Sequence, residues 1–460
     1  MEKESTMPSA PTPFPKIDES KAYIYHYIFD IVFTHPNDKK IKIRPIKIKE
    51  IYQECDYYKR FSPFFSMNCL LNIYDIMKLK KIEKEIITNI TVTSKIYVRQ
   101  NHILTLVDQK IESSGVFTPI FGAGALDGIP DTAYEETHPV DEKSNFVSGV
   151  QDDDPEYKEI NVTFIDMVAS NIAKAPFNYC IDKGWKVGDL ILHIASETKA
   201  KGYLIDLPDN QEEQAEAIIP PNNFIQTMNT IQSVFGIYNN GLLIFYHDDV
   251  LYILNKFATT HDHKKEEQLI TNLFIQDTRT NPVGTMDIFR NTNDKKEAQY
   301  LGPIGVHPQN MDLILGESKA NTMIFSNFTL GHNALLANES KVSMVKSPAL
   351  SMKRANESHK HSGTRINFDY DELNNPFNMA SYFTESEAES NVVSFKIDNA
   401  NINDFRCNKY ILPTFRNTSI HERLNGVYHI KRAQFRFTPI GNNQELKCES
   451  IIDGCKRIKK

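Results

Sequence analysis

The segment from Pro220 to Phe257 constrains the folding of this 460-residue chain more than any other. Pro220 and Pro221 interrupt whatever precedes them, because proline lacks a backbone donor and crowds the turn behind it. Phe224, Met228, Ile231 and Phe235 then fall at i, i+4, i+7 and i+11, which is one stripe of an α-helix. Gly236 stands where a helix C-terminus favours glycine. Asn239-Asn240-Gly241 predicts a turn. Leu242 to Tyr246 and Val250 to Leu254 are apolar runs of strand length around the polar tip His247-Asp248-Asp249. The expectation is a helix, a turn and a hairpin, with no catalytic grouping inside.

A chain of this length holds roughly three to four domains. Its hydrophobic content of 40% supplies real cores, so the chain as a whole is not disordered. The net charge of −7 gives no global basic excess, which argues against a dedicated nucleic-acid binder. The short basic pieces Lys39 to Lys49, Lys78 to Lys84 and Lys456 to Lys460 read as solvated faces or a tail. The charged start Met1-Glu2-Lys3-Glu4 is unlike a signal peptide. No apolar run approaches the roughly 18 residues needed to span a membrane. The six cysteines, Cys55, Cys69, Cys180, Cys407, Cys448 and Cys455, form no CxxC and read as reduced and packed. Cys448 and Cys455 could pair or bind a metal, but no nearby histidine completes a set.

Periodicity organises the rest. Residues 1–20 form a flexible arm by composition. Residues 21–111 read as a small, mainly antiparallel β domain. Tyr23, Tyr25, Tyr27 and Phe29 share one face there, Pro36-Asn37-Asp38 turns a hairpin, and Phe64 to Ile73 and Ile90 to Val98 add further apolar stretches. Residues 112–160 lack periodicity and read as a loop or insertion. Residues 161–258 read as an α+β middle domain. Ile165, Val168 and Ile172 share one helical face, Val187, Leu190, Ile191 and Ile194 share another, and Trp185 anchors packing. Residues 259–330 return to short β stretches, 331–365 form a polar loop, and 366–460 form a C-terminal β domain. In that last piece Tyr428 and Ile430 alternate with polar residues, and Phe435 and Phe437 continue one residue out of step. The fold class is therefore α+β and β-rich.

Chemistry-bearing groups are sparse. Gly122-Ala123-Gly124 has neither the GxxxxGK[ST] sequence nor the strand–GxGxxG–helix setting of a phosphate loop. His261 and His263 could both reach a metal from a strand, yet no third ligand is close in sequence. His359 and His361 lie in a polar stretch that reads as a surface loop. The carboxylates of Asp152 to Asp154, Asp248, Asp249 and Glu385 to Glu389 lie in runs or turns. Acid–base catalysis needs a separately tuned pair in a cleft. No GxSxG or HExxH occurs. No catalytic, cofactor-binding or metal residue is predicted, and the chain reads as a non-enzyme.

The central segment resembles the hub proteins of phage tails and contractile injection machines. Their helix ends in "FG.Y.NG" and leads through a strand and a "D" turn to "LYIL". The matching residues here are Phe235, Gly236, Tyr238, Asn240, Gly241, Asp248 or Asp249, and Leu251 to Leu254. The N-terminal part is similar to the first tube-like domain of such hubs through Tyr27, Phe29-Asp30-Ile31, Phe33, Ile43, Pro45, Ile48, Glu50-Ile51, Asp56-Tyr57 and Pro63. Leu424-Asn425-Gly426-Val427-Tyr428-His429-Ile430 and Phe435-Arg436-Phe437 fit the returning β part.

The resemblance implies two tube-like antiparallel β-barrel domains and a homotrimer forming a pseudo-sixfold ring. That ring joins the tail tube protein to a central spike or tail-tip protein, beside other baseplate proteins, and DNA passes its lumen without specific binding. The location implied is the virion tail baseplate, after synthesis in the host cytoplasm. The competing readings are a peripheral baseplate or tail-tip protein that binds a fibre or receptor, a cell-wall hydrolase, and a carbohydrate-binding module.

Overall fold

Alternation sets the first strand. In β1 (Ala22–Thr34), Tyr25, Tyr27, Phe29, Ile31 and Phe33 are all buried on one face, as the period-two pattern predicts. The computed structural model describes residues 22–38, 40–82, 85–100, 103–122, 156–256, 270–275, 288–291, 298–309, 322–326, 342–346, 363–366, 392–415, 424–441 and 444–456. β1 is followed by β2 (Lys42–Ile43), β3 (Lys47–Asp56), β4 (Phe64–Asn72), α1 (Ile73–Ile82), β5 (Ile87–Gln100), β6 (Ile103–Phe121) and β7 (Tyr157–Asp166). The expected hairpin forms but is short, pairing only Phe33 with Ile43 and Thr34 with Lys42. The long partner of β1 is the distant β5, in register from Tyr23 against Val98 to Thr34 against Ile87.

Three local expectations need correction. The apolar stretch Phe64 to Ile73 is not all strand, because α1 begins at Ile73. There Asn72 Oδ1 accepts from Tyr74 N at 2.9 Å, Asp75 stands in the first turn, and Lys80 and Lys81 stand in the last. The segment 112–160, expected to be a loop, is strand at both ends, since β6 runs on to Phe121 and β7 starts at Tyr157. The helical face through Ile165, Val168 and Ile172 dissolves as well. β7 continues to Asp166, whose carboxylate accepts from Ala169 N at 2.9 Å and starts the helix only at Met167. Ile165 is therefore a strand residue facing outward, and Ile172 alone of the three is buried.

The next elements are α2 (Met167–Lys174), β8 (Pro176–Ile181), α3 (Val187–Glu197), β9 (Gly202–Ile205), β10 (Ala217–Asn223), α4 (Phe224–Val234), β11 (Leu242–His247) and β12 (Val250–Asn255). Strand β10 runs across Pro220 and Pro221, which sit at a break in its register with β8. Asn223 then caps α4, accepting from Gln226 N at 2.9 Å. Phe224, Met228 and Ile231 are fully buried, as the stripe predicts. Phe235 differs: it is the half-buried C-cap, with its ring edge-on to Trp185 at 5.0 Å. Gly236 takes a left-handed φ of 75°, and its N–H closes on Ile231 O at 3.1 Å.

At the β11–β12 tip, Asp248 and Asp249 have φ of 50° and 65°, the twisted two-residue turn that fits a hairpin. This hairpin is buried on both sides. Leu243, Phe245, Tyr252 and Leu254 join the main core, while Tyr246, Leu251 and Ile253 join the core under the three helices. Burial on two faces explains why its sequence is continuously apolar rather than alternating.

The remaining strands are β13 (Ile270–Ile275), β14 (Phe289–Asn291), β15 (Ala298–Gly302), β16 (Gly305–Pro308), β17 (Thr322–Ser326), β18 (Val342–Lys346), β19 (Gly363–Ile366), β20 (Val392–Asp398), β21 (Tyr410–Phe415), β22 (Tyr428–Pro439) and β23 (Leu446–Lys456). A 3-10 helix covers Ile402–Phe405. Residues 331–365, expected to be a polar loop, contain β18 and most of β19, both paired to β17. The pairing is not purely antiparallel as expected. β13 runs parallel to both β15 and β21, because the intervening β14 reverses the chain against β15. A register shift between Ile430 and Arg432 accounts for Phe435 and Phe437 falling out of step while remaining buried.

The strand path returns to its first member twice. β3, β4, β7, β6, β5, β1, β23 and β22 pair in that order, and β22 pairs back to β3. A second circuit runs β1, β14, β15, β13, β21, β22, β23 and back to β1. The shared strands divide their length between the two. β22 gives Tyr428 and His429 to β21, and Arg432 to Phe437 to β3. Edge-on aromatic contacts line the join, with Phe437 packed on Tyr27 at 5.2 Å and on Phe29 at 4.8 Å.

Candidate functional site

The sequence singles out no reactive residue, so the side chains that matter are those locking the two strand circuits and the middle helices together. Three polar joints do this. In the first, Arg290 of β14 meets Asp404 of the 3-10 helix through Nε at 2.6 Å and Nη2 at 3.2 Å. Arg290 Nη1 also donates to the Tyr25 hydroxyl of β1 at 2.6 Å. Tyr300 of β15 donates to Asp404 Oδ2 at 2.9 Å and accepts from Asn401 N at 2.8 Å. The pair is buried, with side-chain exposures of 12% and 5%. Burial pulls the Arg290 guanidinium down, but Asp404 outweighs it and holds the charge in place. Burial pushes the Tyr25 hydroxyl up to about 12. Two residues 114 positions apart thus form a forked, charge-assisted contact.

The second joint centres on Glu445, in the turn before β23. Lys95 Nζ donates to it at 2.7 Å, the Tyr97 hydroxyl donates at 2.8 Å, and His26 Nδ1 lies 2.8 Å away. Glu445 therefore ties β23 to β1 and β5. Burial pushes its carboxyl up, but the donors Lys95, His26 and Tyr97 prevail and hold it down at about 2. A depressed carboxyl stabilises the fold above its unfolded pKa of 4.5 and loses that contribution as pH falls toward 2. Stability should thus decline across that acid window, and Glu445→Gln should flatten the decline. Denaturant midpoints of both proteins at several acid pH values check this. Parallel pH profiles would contradict the assignment.

The third joint fixes the middle unit. Asp248, at the β11–β12 tip, receives Arg406 Nη2 at 2.6 Å. The Tyr57 hydroxyl donates to Phe405 O at 2.7 Å, and its ring stands edge-on to Phe245 at 4.7 Å. The neighbouring His247 is partly buried, and desolvation lowers its pKa. The tip expected to be a solvated turn is thus divided: Asp248 is tied to Arg406, while Asp249 takes Lys201 at 2.5 Å.

Other residues weighed in the sequence fall apart in space or outside the description. Cys448 and Cys455 both lie on β23 with free thiols, about 23 Å apart along an extended strand, far beyond disulfide reach. The His261 and His263 pair, His359 and His361, Asp152 to Asp154 and Glu385 to Glu389 lie outside the described residues. Among the described residues no group of three or more His, Cys, Asp or Glu side chains could hold a metal. No helix among them is long and apolar enough to cross a membrane.

With the joints in place, comparison with known proteins gives the affiliation. The family described as Bacteriophage PBS1 gene 109 protein matches residues 21–453, which spans both strand circuits and the middle unit. This chain belongs to the PBS1 gene 109 protein family. No curated protein matches it. Solved structures similar to this gene 109 family member include the tail protein from Neisseria meningitidis MC58, at 9% identity over 93% of this chain and 96% of that one, with a TM-score of 0.46. The 43 kDa tail protein of prophage MuSo2 from Shewanella oneidensis gives the same figures of 9%, 93%, 96% and 0.46. The E. coli c3393 protein, a component of the type VI secretion system, is 8% identical over 93% of this chain and 77% of its own, with a TM-score of 0.36.

Proposed function

We propose that this chain is a structural protein of the phage tail baseplate, the central hub that joins the tail tube to the spike. The carrying observation is the double return of the strand path through shared β1, β22 and β23. Each circuit is a tube-like β-barrel in this reading, and two per chain give six around a ring of three chains. A trimer can thereby meet a sixfold tube on one side and a threefold spike on the other. Membership in a phage protein family, and the hub-like order of Tyr27 to Pro63, Phe235 to Leu254 and Leu424 to Phe437, support it. The buried joints suit a rigid adaptor, since they fix strand register at the junctions instead of opening a cleft. The partners are two further copies, the tail tube protein, the spike or tail-tip protein and neighbouring baseplate proteins. DNA would pass through the lumen without specific contacts. No reaction is assigned to it.

Copy number tests the proposal. Quantitative peptide mass spectrometry of purified virions should give three copies per tail. Six or more copies would move the chain to the baseplate periphery, and absence from the virion would end the structural reading.

A further inference from the structure

The bulges of β6, the charges of Asp108 and Lys110 and the inward Glu112 blunt the middle of its outer edge. Near the start of the strand the open feature is a set of apolar side chains, and register places them on one face. Ile24 of β1 opposes Tyr97 of β5, and Tyr97 opposes Leu106 of β6. Leu104 stands two residues before Leu106, on the same side. This face is opposite to the one that buries Tyr25 and Tyr27. Leu104 is 40% exposed and Leu106 48%, with Ile24 and Tyr97 half-buried beside them. Tyr97 is held by its hydrogen bond to Glu445 at 2.8 Å and by the His26 ring at 4.7 Å. The result is a fixed platform, one aromatic ring among aliphatic side chains.

The chain itself supplies an occupant. Residues 1–21 precede β1 and carry Pro8, Pro11, Pro13 and Pro15, with Phe14 as their one aromatic residue. Prolines at this spacing favour the polyproline II helix. They offer few donors to a sheet edge, but such segments dock well on apolar and aromatic surfaces. The point of entry fits as well. Tyr23 opposes Val98, and Val98 opposes Thr105, so the chain enters β1 two strand spacings, about 10 Å, from the start of β6. Two other routes are filled there. β14 pairs with Ala22 and Tyr23 along the second edge of β1, and Arg290 meets Tyr25 on the inward side. The outward face is the route that remains. From Lys21 back to Phe14 a polyproline II segment spans about 20 Å, enough to cross β5 and set Phe14 over Leu104 and Leu106.

We propose that Pro11 to Pro15 dock on the platform of Tyr97, Leu104 and Leu106 of the same chain, with Phe14 as the anchor. The contact lies within one chain, so it adds no symmetry and leaves the number of copies per tail unchanged. It is independent of the hub reading, because it asks only that β1, β5 and β6 form their sheet.

The test uses the full-length protein with Cys180→Ser, which removes the exposed native thiol. Thr12→Cys/Leu104→Cys and Thr6→Cys/Leu104→Cys are equilibrated in glutathione buffers, where oxidised glutathione takes up the two electrons of the thiols. Peptide mass spectrometry then measures the disulfide within one chain. Tether length alone favours the nearer cysteine by only about twofold. A docked arm should favour Thr12→Cys by about tenfold or more, and adding Phe14→Asp should return the preference to about twofold. Deleting residues 1–19 should uncover the platform and raise the fluorescence of an added apolar dye such as ANS, as should Phe14→Asp alone. A cooperative thermal melt shows that each variant folds. A preference of about twofold in the parent background, a disulfide formed between chains, or dye binding unchanged by the deletion would each overturn the proposal.

Discussion

Asp404→Ala is expected to cost the fold about 3–5 kcal/mol, because it leaves the Arg290 guanidinium buried and unpaired. It also removes the acceptor of the Tyr300 hydroxyl and strips the 3-10 helix of its tie to β14. The converse substitution, Arg290→Met, leaves Asp404 with only the Tyr300 hydroxyl and should destabilise by a similar amount. The double variant Arg290→Met/Asp404→Leu should recover much of the loss, since an apolar pair of similar volume demands no charge desolvation. Urea unfolding of the four proteins gives the cycle. Single variants within about 1 kcal/mol of the parent would show that the fork contributes little and that the circuit through β14 is held by other contacts.

The second large effect concerns α4. Ile231→Asp places a carboxyl at a position with no exposure, in the apolar core that holds Phe224, Met228 and Ile172 of α2. The lost apolar contact and the unsolvated polar group together should exceed about 5 kcal/mol, enough to unfold the middle unit. Ile231→Val, which removes one methylene group, should cost only about 0.5–1.5 kcal/mol. Trp185 is the chain's single tryptophan and packs on Phe235 just beyond α4, so its fluorescence reports on this unit alone. Red-shifted Trp185 emission without a cooperative transition is the expected result for Ile231→Asp. Native emission with a cooperative melt would refute the buried placement of Ile231.

What was legible in the sequence was local and periodic. The aromatic alternation of β1, the stripe and glycine stop of α4, and the phase slip between Ile430 and Phe435 each state a geometry that burial then enforces. The first failures came where two signals overlapped. At Phe64 to Ile82 a strand passes directly into α1 without glycine or proline between them. At Val162 to Ile172 a strand run and a helix run share apolar residues, and the cap Asp166 decides the boundary. Topology was hidden for a different reason. β1 and β23 meet through His26 and Glu445, which are 419 residues apart, and no local pattern encodes that pairing. Arg290 and Asp404 are single charged residues in unremarkable contexts, so the fork is visible only once β14 and the 3-10 helix are side by side. The second half of β6 lay inside a segment that reads as a loop, because the glycines, prolines and acidic run that follow it mask the end of the strand.

A cryo-EM reconstruction of isolated tail tips tests the hub proposal most directly. The predicted result is three copies of this chain around the tail axis, with their two strand circuits alternating in a pseudo-sixfold ring between the tube and the spike. Density for the chain away from the axis, or a ring at that level built from another protein, would contradict it.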